Sequence, residues 1–413
     1  MKALAFILAA MRLSRPIPTF NATSQRIEVS GEHKFEPPSA KDYRGPCPGL
    51  NALANHGYIS RHGVASIDEL TDAAVKVFGL SVDQASLAAI YSTAFAVSPD
   101  LNHISIGAPL GNEVPPADGV QLKIPPQGLN FPHVGLEFDA SPTRLDKHQP
   151  GSGGKNYDLS LPLLRQLLSL QKGVPNEKVN FDLNVLADHR YQRHLDSVAK
   201  NPLFFQQPFT GLFLNGNKYA LIPRLFANHS AEHPEGRLDR KTLLSFYGVE
   251  YGGFLMKSFW YRRGCERIPD NWYRRPLDSP YDLRKANDDL VAQARRHPEF
   301  INKFAMGGNT AGVNTYRAVT IDDLTNGTYS LKTILNDSNL SCLGFLSGGQ
   351  LAAKWLTGYY ENLETTVVPT LLARLPGIIG SLKCKPLKGP MNDEPFRATF
   401  PGYDASLPPT QKG

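Results

Sequence analysis

Cys47 stands in a sequence context that favours chemistry. It lies between Pro46 and Pro48, and the residues after Pro48 read Gly-Leu-Asn-Ala-Leu-Ala-Asn-His-Gly. Because proline is favoured at the first position of a helix, Cys47 is predicted to be the N-cap of a short helix. Backbone N–H groups and the positive end of the helix dipole then face the sulfur and stabilise a thiolate or a metal-bound sulfur. These considerations leave three roles open for Cys47: metal ligand, nucleophile or inert buried side chain.

A second polar cluster lies in the segment Glu137-Phe138-Asp139-Ala140-Ser141, which continues to Thr143, Arg144 and Asp146. Carboxylate, carbonyl and hydroxyl oxygens are the ligands that hard divalent cations prefer. Taken without further information, an acidic turn with a serine is a solvated loop.

The histidines do not point to a zinc site. None of the eleven histidines belongs to a His-Glu-x-x-His pattern. His56 and His62 lie close to Cys47 and are predicted to be polar groups satisfied within the surrounding loop. His189 and His194 are five residues apart on a predicted helix, which is poor spacing for one shared metal.

Helices are the elements that must position these residues. Ser66 to Glu69 forms a capping box, apolar residues follow at helical spacing, and Gly79 ends the helix. Similar signals predict further helices at 85–97, 160–170, 183–201 and 285–296. The sequence does not alternate strands with helices, so a doubly wound fold is disfavoured. We therefore expect a mainly α fold with long loops and an irregular C-terminal region. Four phenylalanines near the end of the 183–201 helix either line an apolar channel or belong to the core: Phe204, Phe205, Phe209 and Phe213.

Composition and charge exclude several classes of protein. Of the 413 residues, 41% are hydrophobic, and 35 glycines and 33 prolines are too few for a low-complexity chain. The net charge of +6 is dispersed among acidic residues, so nucleic-acid binding has little support. No apolar run reaches the roughly 18 residues that a membrane span needs.

The N-terminus and the sequons predict export. Lys2, an apolar run from Ala3 to Met11, and Arg12 indicate a signal peptide within residues 1–20, with a mildly apolar disordered terminus as the alternative. An extracellular, N-glycosylated chain is therefore expected. Five Asn-x-Ser/Thr sequons supply acceptors at Asn21, Asn228, Asn326, Asn336 and Asn339. The four cysteines are too few for a disulfide framework, and one bridge with two unpaired thiols is possible.

The segment around Cys47 resembles the proximal segment of the fungal haem-thiolate peroxidases, the chloroperoxidase and unspecific peroxygenase family. About a dozen nearly uninterrupted residues carry the match. The resemblance implies a chloroperoxidase-like helical haem domain over residues 21–275, with residues 276–413 as a C-terminal extension packed on the same domain. It also implies that Cys47, next to Pro48, is the axial thiolate of haem b. The Phe-x-x-Gly-x-Arg-x-Cys pattern of the cytochrome monooxygenases surrounds none of the four cysteines.

The acidic segment is similar to the family's Glu-x-Asp-x-Ser motif, which binds a divalent cation, usually Mg2+, beside a haem propionate. The resemblance implies the Glu137 carboxylate, the Phe138 carbonyl and the Ser141 hydroxyl as ligands, completed by one propionate and water. It further implies a disulfide between Cys342 and Cys384, because larger members of the family often carry one such bridge there.

The likeness weakens at the distal acid-base, a glutamate that the family places shortly after an Asn-Pro pair. Counting from Asn201, the matching position is Asn217, an amide 16 residues further on. Glu250 follows a similar Tyr-Gly-Val sequence but lies 49 residues beyond Asn201, so spacing favours Asn217. Phe138 also departs from the family, which often carries His or Gly there.

Three functional hypotheses follow. The first is a secreted haem-thiolate peroxidase or peroxygenase that uses hydrogen peroxide to oxidise small organic substrates. The second is a haem-binding member without efficient peroxide turnover, with a binding or dedicated secondary-metabolite role, because Asn217 cannot relay a proton. The third is a haem-free secreted protein in which Cys47 is structural.

Overall fold

The computed structural model describes residues 19–131, 138–252, 258–303, 306–374, 383–391 and 394–411. Within these ranges the chain is mainly α-helical, with a few short strands between the helices. The expected fold class is confirmed.

The helices follow one another through the whole described chain. They are α1 (Ala22–Gln25), α2 (Pro48–Asn55), α3 (Ile67–Phe78), α4 (Val82–Phe95), α5 (Leu161–Ser169), α6 (Leu183–Lys200), α7 (Asn215–Phe226), α8 (Arg240–Phe246), α9 (Leu283–Arg296), α10 (Glu299–Asn302), α11 (Ile321–Leu324), α12 (Asn339–Ser347), α13 (Ala353–Leu356), α14 (Val368–Leu372), α15 (Glu394–Thr399) and α16 (Pro401–Ser406). Wider π-helical turns occupy Pro208–Leu214, Gly348–Ala352 and Leu363–Val367, and 3₁₀ turns occupy Gly31–His33, Asn176–Lys178 and Pro409–Gln411.

The start and stop signals in the sequence predict several of these helices to within a few residues. In α3 the Ser66 hydroxyl accepts from the Glu69 N–H, the Glu69 carboxylate closes the capping box, and Gly79 ends the helix at φ 67°. A left-handed φ of this kind is favourable only for glycine and a few polar residues. Helix α4 begins at Val82 after its Ser81 cap, three residues earlier than predicted, and ends at Phe95.

The strands form three small antiparallel sheets. Strands β1 (Val64–Ser66) and β2 (His103–Ser105) pair, as do β4 (Val249–Gly252) and β5 (Ser258–Tyr261). Strands β3 (Phe205–Gln206), β6 (Gly307–Asn309) and β7 (Tyr316–Ala318) form the third sheet, with β6 in the centre.

Packing of the helices builds one apolar core. Helix α3 packs on α4, and α9 packs on both α6 and α7. The main apolar cluster contains residues from Ile27 to Leu407, so the C-terminal segments share the core of the earlier helices.

The C-terminal region, which the loose pattern predicts to be irregular, instead forms a series of short helices and wider turns. Cys342 of α12 and Cys384 form a disulfide, which confirms the bridge implied by the resemblance. The Cα atoms of the two cysteines are 5.2 Å apart. Among the described residues, no helix combines the length and apolar character that crossing a membrane requires.

Candidate functional site

A large apolar cavity lies at the N-terminus of α2, with a volume of about 660 Å³. Its wall combines the Cys47 segment, one side of α4, the turn from Phe138 to Arg144, helix α7 and C-terminal residues near α12 to α14. Most lining side chains are aliphatic or aromatic. Binding cavities for organic ligands and cofactors have this character and size.

Cys47 lies on the wall of this cavity as the N-cap of α2, with Pro48 at the start of the helix. The predicted cap is confirmed. The first intrahelical hydrogen bond runs from the Asn51 N–H to the Cys47 carbonyl at 3.1 Å. The N–H groups of Gly49 and Leu50 precede this bond, so they belong to the donors that a helix N-terminus offers to an acceptor at the cap. Cys47 and Cys265 are not part of the disulfide.

Asn51 holds the backbone just before Cys47. Its Oδ1 accepts from the Gly45 N–H at 3.0 Å, and its Nδ2 donates to the Gly45 carbonyl at 2.9 Å. Gly45 itself passes close to the chain at Ile106, where an added Cβ would lie 1.9 Å from the Ile106 carbonyl oxygen. A larger residue therefore cannot occupy position 45 without moving the segment that carries Cys47.

Asn55 and His56 bind this segment to the rest of the fold. Asn55 Oδ1 accepts from Arg44 Nε at 2.9 Å, and Asn55 Nδ2 donates to the carbonyls of Gly264 and Glu266 at 2.7 and 2.8 Å. His56 Nδ1 is 2.7 Å from a backbone carbonyl, and its Nε2 accepts a backbone N–H. Burial lowers the pKa of His56 to about 4, which keeps the ring neutral. His56 is thus a satisfied structural histidine, as predicted.

The segment after Phe138 is buried, not a solvated loop. The Asp146 carboxylate accepts from the Ala140 N–H at 2.9 Å and pairs with Arg193 at 3.4 Å, with both side chains fully buried. Asn201 Nδ2 donates to Asp139 at 2.8 Å. Burial and the nearby Asp146 raise the pKa of Asp139 well above its usual value. The Asp139 side chain therefore belongs to the buried hydrogen-bond network that stabilises the turn.

Three successive carbonyls of this turn accept hydrogen bonds from buried side chains of α6 and α7. The Ala140 carbonyl accepts from the Tyr219 hydroxyl at 2.9 Å, the Ser141 carbonyl from Arg193 Nε at 3.0 Å, and the Pro142 carbonyl lies 2.7 Å from His189 Nε2. Burial lowers the pKa of His189 to about 4. The neutral ring donates from Nε2, so His189 is a positioning residue rather than a metal ligand.

Two cationic side chains reach the cavity wall. Arg144 is 3% exposed, and its Nη2 donates to the Pro46 carbonyl at 2.8 Å, which joins the turn directly to the Cys47 segment. Lys218 of α7 is half-buried, with Nζ 4.0 Å from the centre of the Phe138 ring. An apolar cavity with two cations at its wall suits an apolar molecule that carries carboxylates.

The structure brings Asn217 to the cavity, whereas Glu250 lies elsewhere. Asn217 lines the wall, is 7% exposed and donates from Nδ2 to the Phe213 carbonyl at 2.9 Å. Its Oδ1 is buried without a hydrogen-bond partner in the described part of the chain. Glu250 is exposed on β4, opposite Trp260 of β5.

The expected cation ligands are only partly within the described residues. Glu137 lies outside them. Phe138 and Ser141 are both buried and both line the cavity. In the described ranges, no group of three or more His, Cys, Asp or Glu side chains is arranged to hold a metal ion.

The structure divides the four phenylalanines between the two roles left open. Phe209 and Phe213 of the first π-helical turn line the cavity, while Phe204 and Phe205 are buried in the core. The wall contributed by the C-terminal region was not predicted, because those apolar residues lack a regular spacing. That wall contains Phe345, Gly348, Gly349, Leu356, Val367, Val368, Leu371 and Leu372.

The structure thus combines a helical fold with a helix-capping cysteine on the wall of an apolar, cation-bearing cavity. Residues 33–277 match the family model described as "Peroxidase, family 2". The chain belongs to this peroxidase family. Membership implies a haem cofactor, peroxide as oxidant and organic substrates.

Several curated fungal proteins are similar over most of the chain. The dothistromin biosynthesis peroxidase dotB of Dothistroma septosporum is 35% identical over 393 residues, which cover 94% of this chain and 89% of the relative. The aromatic peroxidase fscJ of Fusarium equiseti is 36% identical over 357 residues, 85% of this chain and 77% of the relative. An aromatic peroxygenase of Cyclocybe aegerita is 31% identical over 308 residues, 73% and 70% of the two chains.

The buried pair between Asp146 and Arg193 leads to a stability prediction. Asp146→Asn should lower the free energy of unfolding by up to roughly 3–5 kcal/mol, because it removes the fully buried carboxylate that pairs with Arg193 and accepts from the Ala140 N–H. Asp196 pairs with the same Arg193 at 3.2 Å but its side chain is 22% exposed, so Asp196→Asn should cost about 1 kcal/mol or less. Urea unfolding of both variants measures the difference. Equal losses would show that burial of the Asp146 pair does not matter.

Proposed function

We propose that the protein is a secreted haem-thiolate peroxidase or peroxygenase that uses hydrogen peroxide to oxidise small organic, aromatic molecules. The observation that carries this proposal is Cys47, which caps α2 on the wall of the 660 Å³ cavity. The names of the relatives, an aromatic peroxidase, an aromatic peroxygenase and a biosynthetic peroxidase, support aromatic substrates.

The residues at the cavity fit haem b. Cys47 would supply the axial thiolate beside Pro48, and the cations of Arg144 and Lys218 would neutralise the propionates. The bound haem supplies the iron that activates peroxide, and a thiolate ligand favours cleavage of the O–O bond. The aliphatic and aromatic wall excludes water and leaves the macrocycle in apolar surroundings.

The protein contributes a fixed sulfur on the proximal side. Asn51 and Arg144 hold the backbone at Gly45 and Pro46, and the positive end of the α2 dipole favours negative charge on Cys47 Sγ. A ligand atom fixed in this way needs little reorganisation when the charge on its partner changes.

Within the cavity, Asn217 Oδ1 can accept a hydrogen bond from peroxide and orient it. An amide does not titrate, so Asn217 cannot move the proton from one peroxide oxygen to the other. Tyr91 is another lining residue. Burial raises the pKa of Tyr91 well above its usual value, so its hydroxyl is a poor proton donor. Among the described lining residues no Asp, Glu or His is present. This observation favours, as a second candidate function, a haem-binding family member with slow peroxide turnover and a dedicated biosynthetic role.

A divalent cation at the turn is part of the proposal. Glu137, the Phe138 carbonyl and the Ser141 hydroxyl would bind Mg2+ or another hard cation beside a propionate. Two observations support it: Ser141 and Phe138 reach the cavity, and Asp139 is directed instead toward Asn201.

Export and glycosylation complete the proposal. Asn21, Asn326 and Asn336 are exposed and accessible to a glycan. Asn228 is half-buried and its Oδ1 accepts from the Tyr273 N–H at 2.8 Å, so this sequon is a poor acceptor in the folded chain. Asn339 is half-buried as well.

Replacing the proposed axial ligand is the direct test of the function. Cys47→Ala should abolish the strongly red-shifted Soret band of the reduced, carbon-monoxide-bound protein, because the iron loses its thiolate. Cys265→Ser removes the other thiol outside the disulfide and should retain that band. A thiolate band that persists in Cys47→Ala would identify a different ligand.

Installing a carboxylate tests the distal side. Asn217→Glu should raise peroxygenase turnover, with general acid-base assistance typically worth about 10²–10⁴-fold. Asn217→Gln introduces a side chain as long as glutamate but without a titratable group, so it should not raise turnover. Glu250→Gln should change turnover little. Strong wild-type turnover that collapses in Glu250→Gln would reverse the assignment of the two residues. Steady-state oxidation of an aromatic substrate with peroxide provides the measurement.

Removing the proposed cation ligand should act on haem retention more than on the spectrum of the haem that remains bound. Glu137→Ala should therefore lose haem faster to an acceptor protein, because the cation links protein and propionate without touching the iron. Chelation of the wild type should reproduce the effect, and added Mg2+ should reverse it. Unchanged haem loss in both experiments would show that the turn binds no cation.

A further inference from the structure

A buried carboxyl group lies against the segment that carries Cys47. Glu266 follows β5 and is 2% exposed, and its Oε2 has no hydrogen-bond partner within the described chain. Burying a carboxyl group without a full set of hydrogen bonds costs free energy, so such a group calls for a structural or chemical explanation. Neither the proximal ligand nor the cavity wall includes Glu266, so its burial is not explained by the site described above.

Glu266 is connected to the Cys47 segment through α2. Its carboxylate lies close to the Asn51 side-chain amide, which favours the ionised form. Asn51 holds both backbone polar groups of Gly45, two residues before Cys47. Asn55, one turn further along α2, donates to the backbone carbonyl of Glu266 at 2.8 Å. The side chain and the backbone of Glu266 therefore both lie close to the helix that Cys47 caps.

Arg144 provides a second connection. Its Nη2 donates to the Pro46 carbonyl, its Nε has no hydrogen-bond partner in the described residues, and its charge attracts the Glu266 carboxylate. The other charged or titratable groups that act on Glu266 are Arg44, Cys265 and Tyr261. The two groups that fix the backbone before Cys47, Asn51 and Arg144, thus both interact with the same carboxyl group.

The balance of these effects places Glu266 between its two protonation states near neutral pH. Burial raises the pKa of Glu266 to about 7, while the nearby Asn51 amide and the charges of Arg144 and Arg44 oppose that rise. An ordinary glutamate is fully ionised at this pH.

We propose that Glu266 is a positioning residue that sets the electron donation of Cys47 to the bound haem, through Asn51 and Arg144. The inference rests on the proposed function, because it requires haem on Cys47. Ionised Glu266 attracts the side chains of Asn51 and Arg144, which hold Gly45 and Pro46. It also places a negative charge next to the segment that carries Cys47. A negative charge there favours the oxidised iron over the reduced iron, so the reduction potential is lower. Protonation of Glu266 removes that charge and raises the potential.

The test is a redox titration of the haem-loaded full chain from about pH 5 to about pH 9. Glu266→Gln keeps the shape of the side chain and cannot ionise. The wild-type potential should fall relative to that of Glu266→Gln as pH rises through neutrality, and the two should converge in acid. Asp270→Asn, in the same segment with a side chain 71% exposed, should follow the wild type at every pH. A purely structural role would change stability or haem content without this pH-dependent difference.

The outcomes separate the inference from the function beneath it. If the thiolate band is absent from wild-type protein, the proposed function fails and the inference fails with it. If the band is present and Glu266→Gln keeps the wild-type potential at every pH, the inference alone is wrong. Should Glu266→Gln not load haem, Glu266→Asp can be used, because it retains an ionisable group. The pH at which its reduction potential changes must then differ from that of Asp270→Asn. A Glu266→Asp titration identical to that of Asp270→Asn would also overturn the inference.

Discussion

The position of the Cys47 sulfur depends on how the residues before it are held. Asn51 binds both polar groups of Gly45, and Arg144 binds the Pro46 carbonyl. Arg44 is fixed in turn through Asn55. Asn51 and Arg144 therefore fix the backbone that leads into Cys47. A helix N-cap supplies donors to an acceptor only when the entering chain has one fixed conformation, which these hydrogen bonds provide.

The turn after Phe138 meets the same requirement with buried charge. Asp146, Arg193 and Asn201 are all buried. Asp146 and Arg193 bind the backbone of the turn, and Asn201 donates to the Asp139 carboxylate within it. Burying an ion pair costs solvation that its Coulomb energy often fails to recover, so such pairs are weak evidence for stability. Here the network determines conformation. It aligns the turn so that Ser141 and Arg144 both reach the cavity, and Arg144 joins the turn to the Cys47 segment.

Local signals in the sequence predicted much of this architecture. Caps and stops gave α3, α6 and α9, and the Pro-Cys-Pro context gave the cap of α2, because these features depend on neighbours in the chain. The burial of the Asp139 turn was not predictable, since its partners Tyr219, Arg193 and His189 come from helices far along the sequence. The C-terminal wall was missed for a related reason: it includes residues of π-helical turns, whose apolar side chains do not repeat at the α-helical period.

For Asn217 and Glu250, the distance from Asn201 along the chain was a better guide to position than the similarity of the neighbouring residues. Glu250 has the family-like neighbours but is exposed on β4, whereas Asn217 reaches the cavity. The buried, unpartnered Oδ1 of Asn217 has a physical consequence of its own. An acceptor left without a partner in an apolar wall costs about 1–3 kcal/mol, and a ligand that donates an O–H group to it recovers that energy. A ligand without such a donor leaves the cost in place. On the proposed function, the Asn217 acceptor would therefore favour ligands that donate an O–H group, a class to which hydrogen peroxide belongs, although its amide cannot relay a proton.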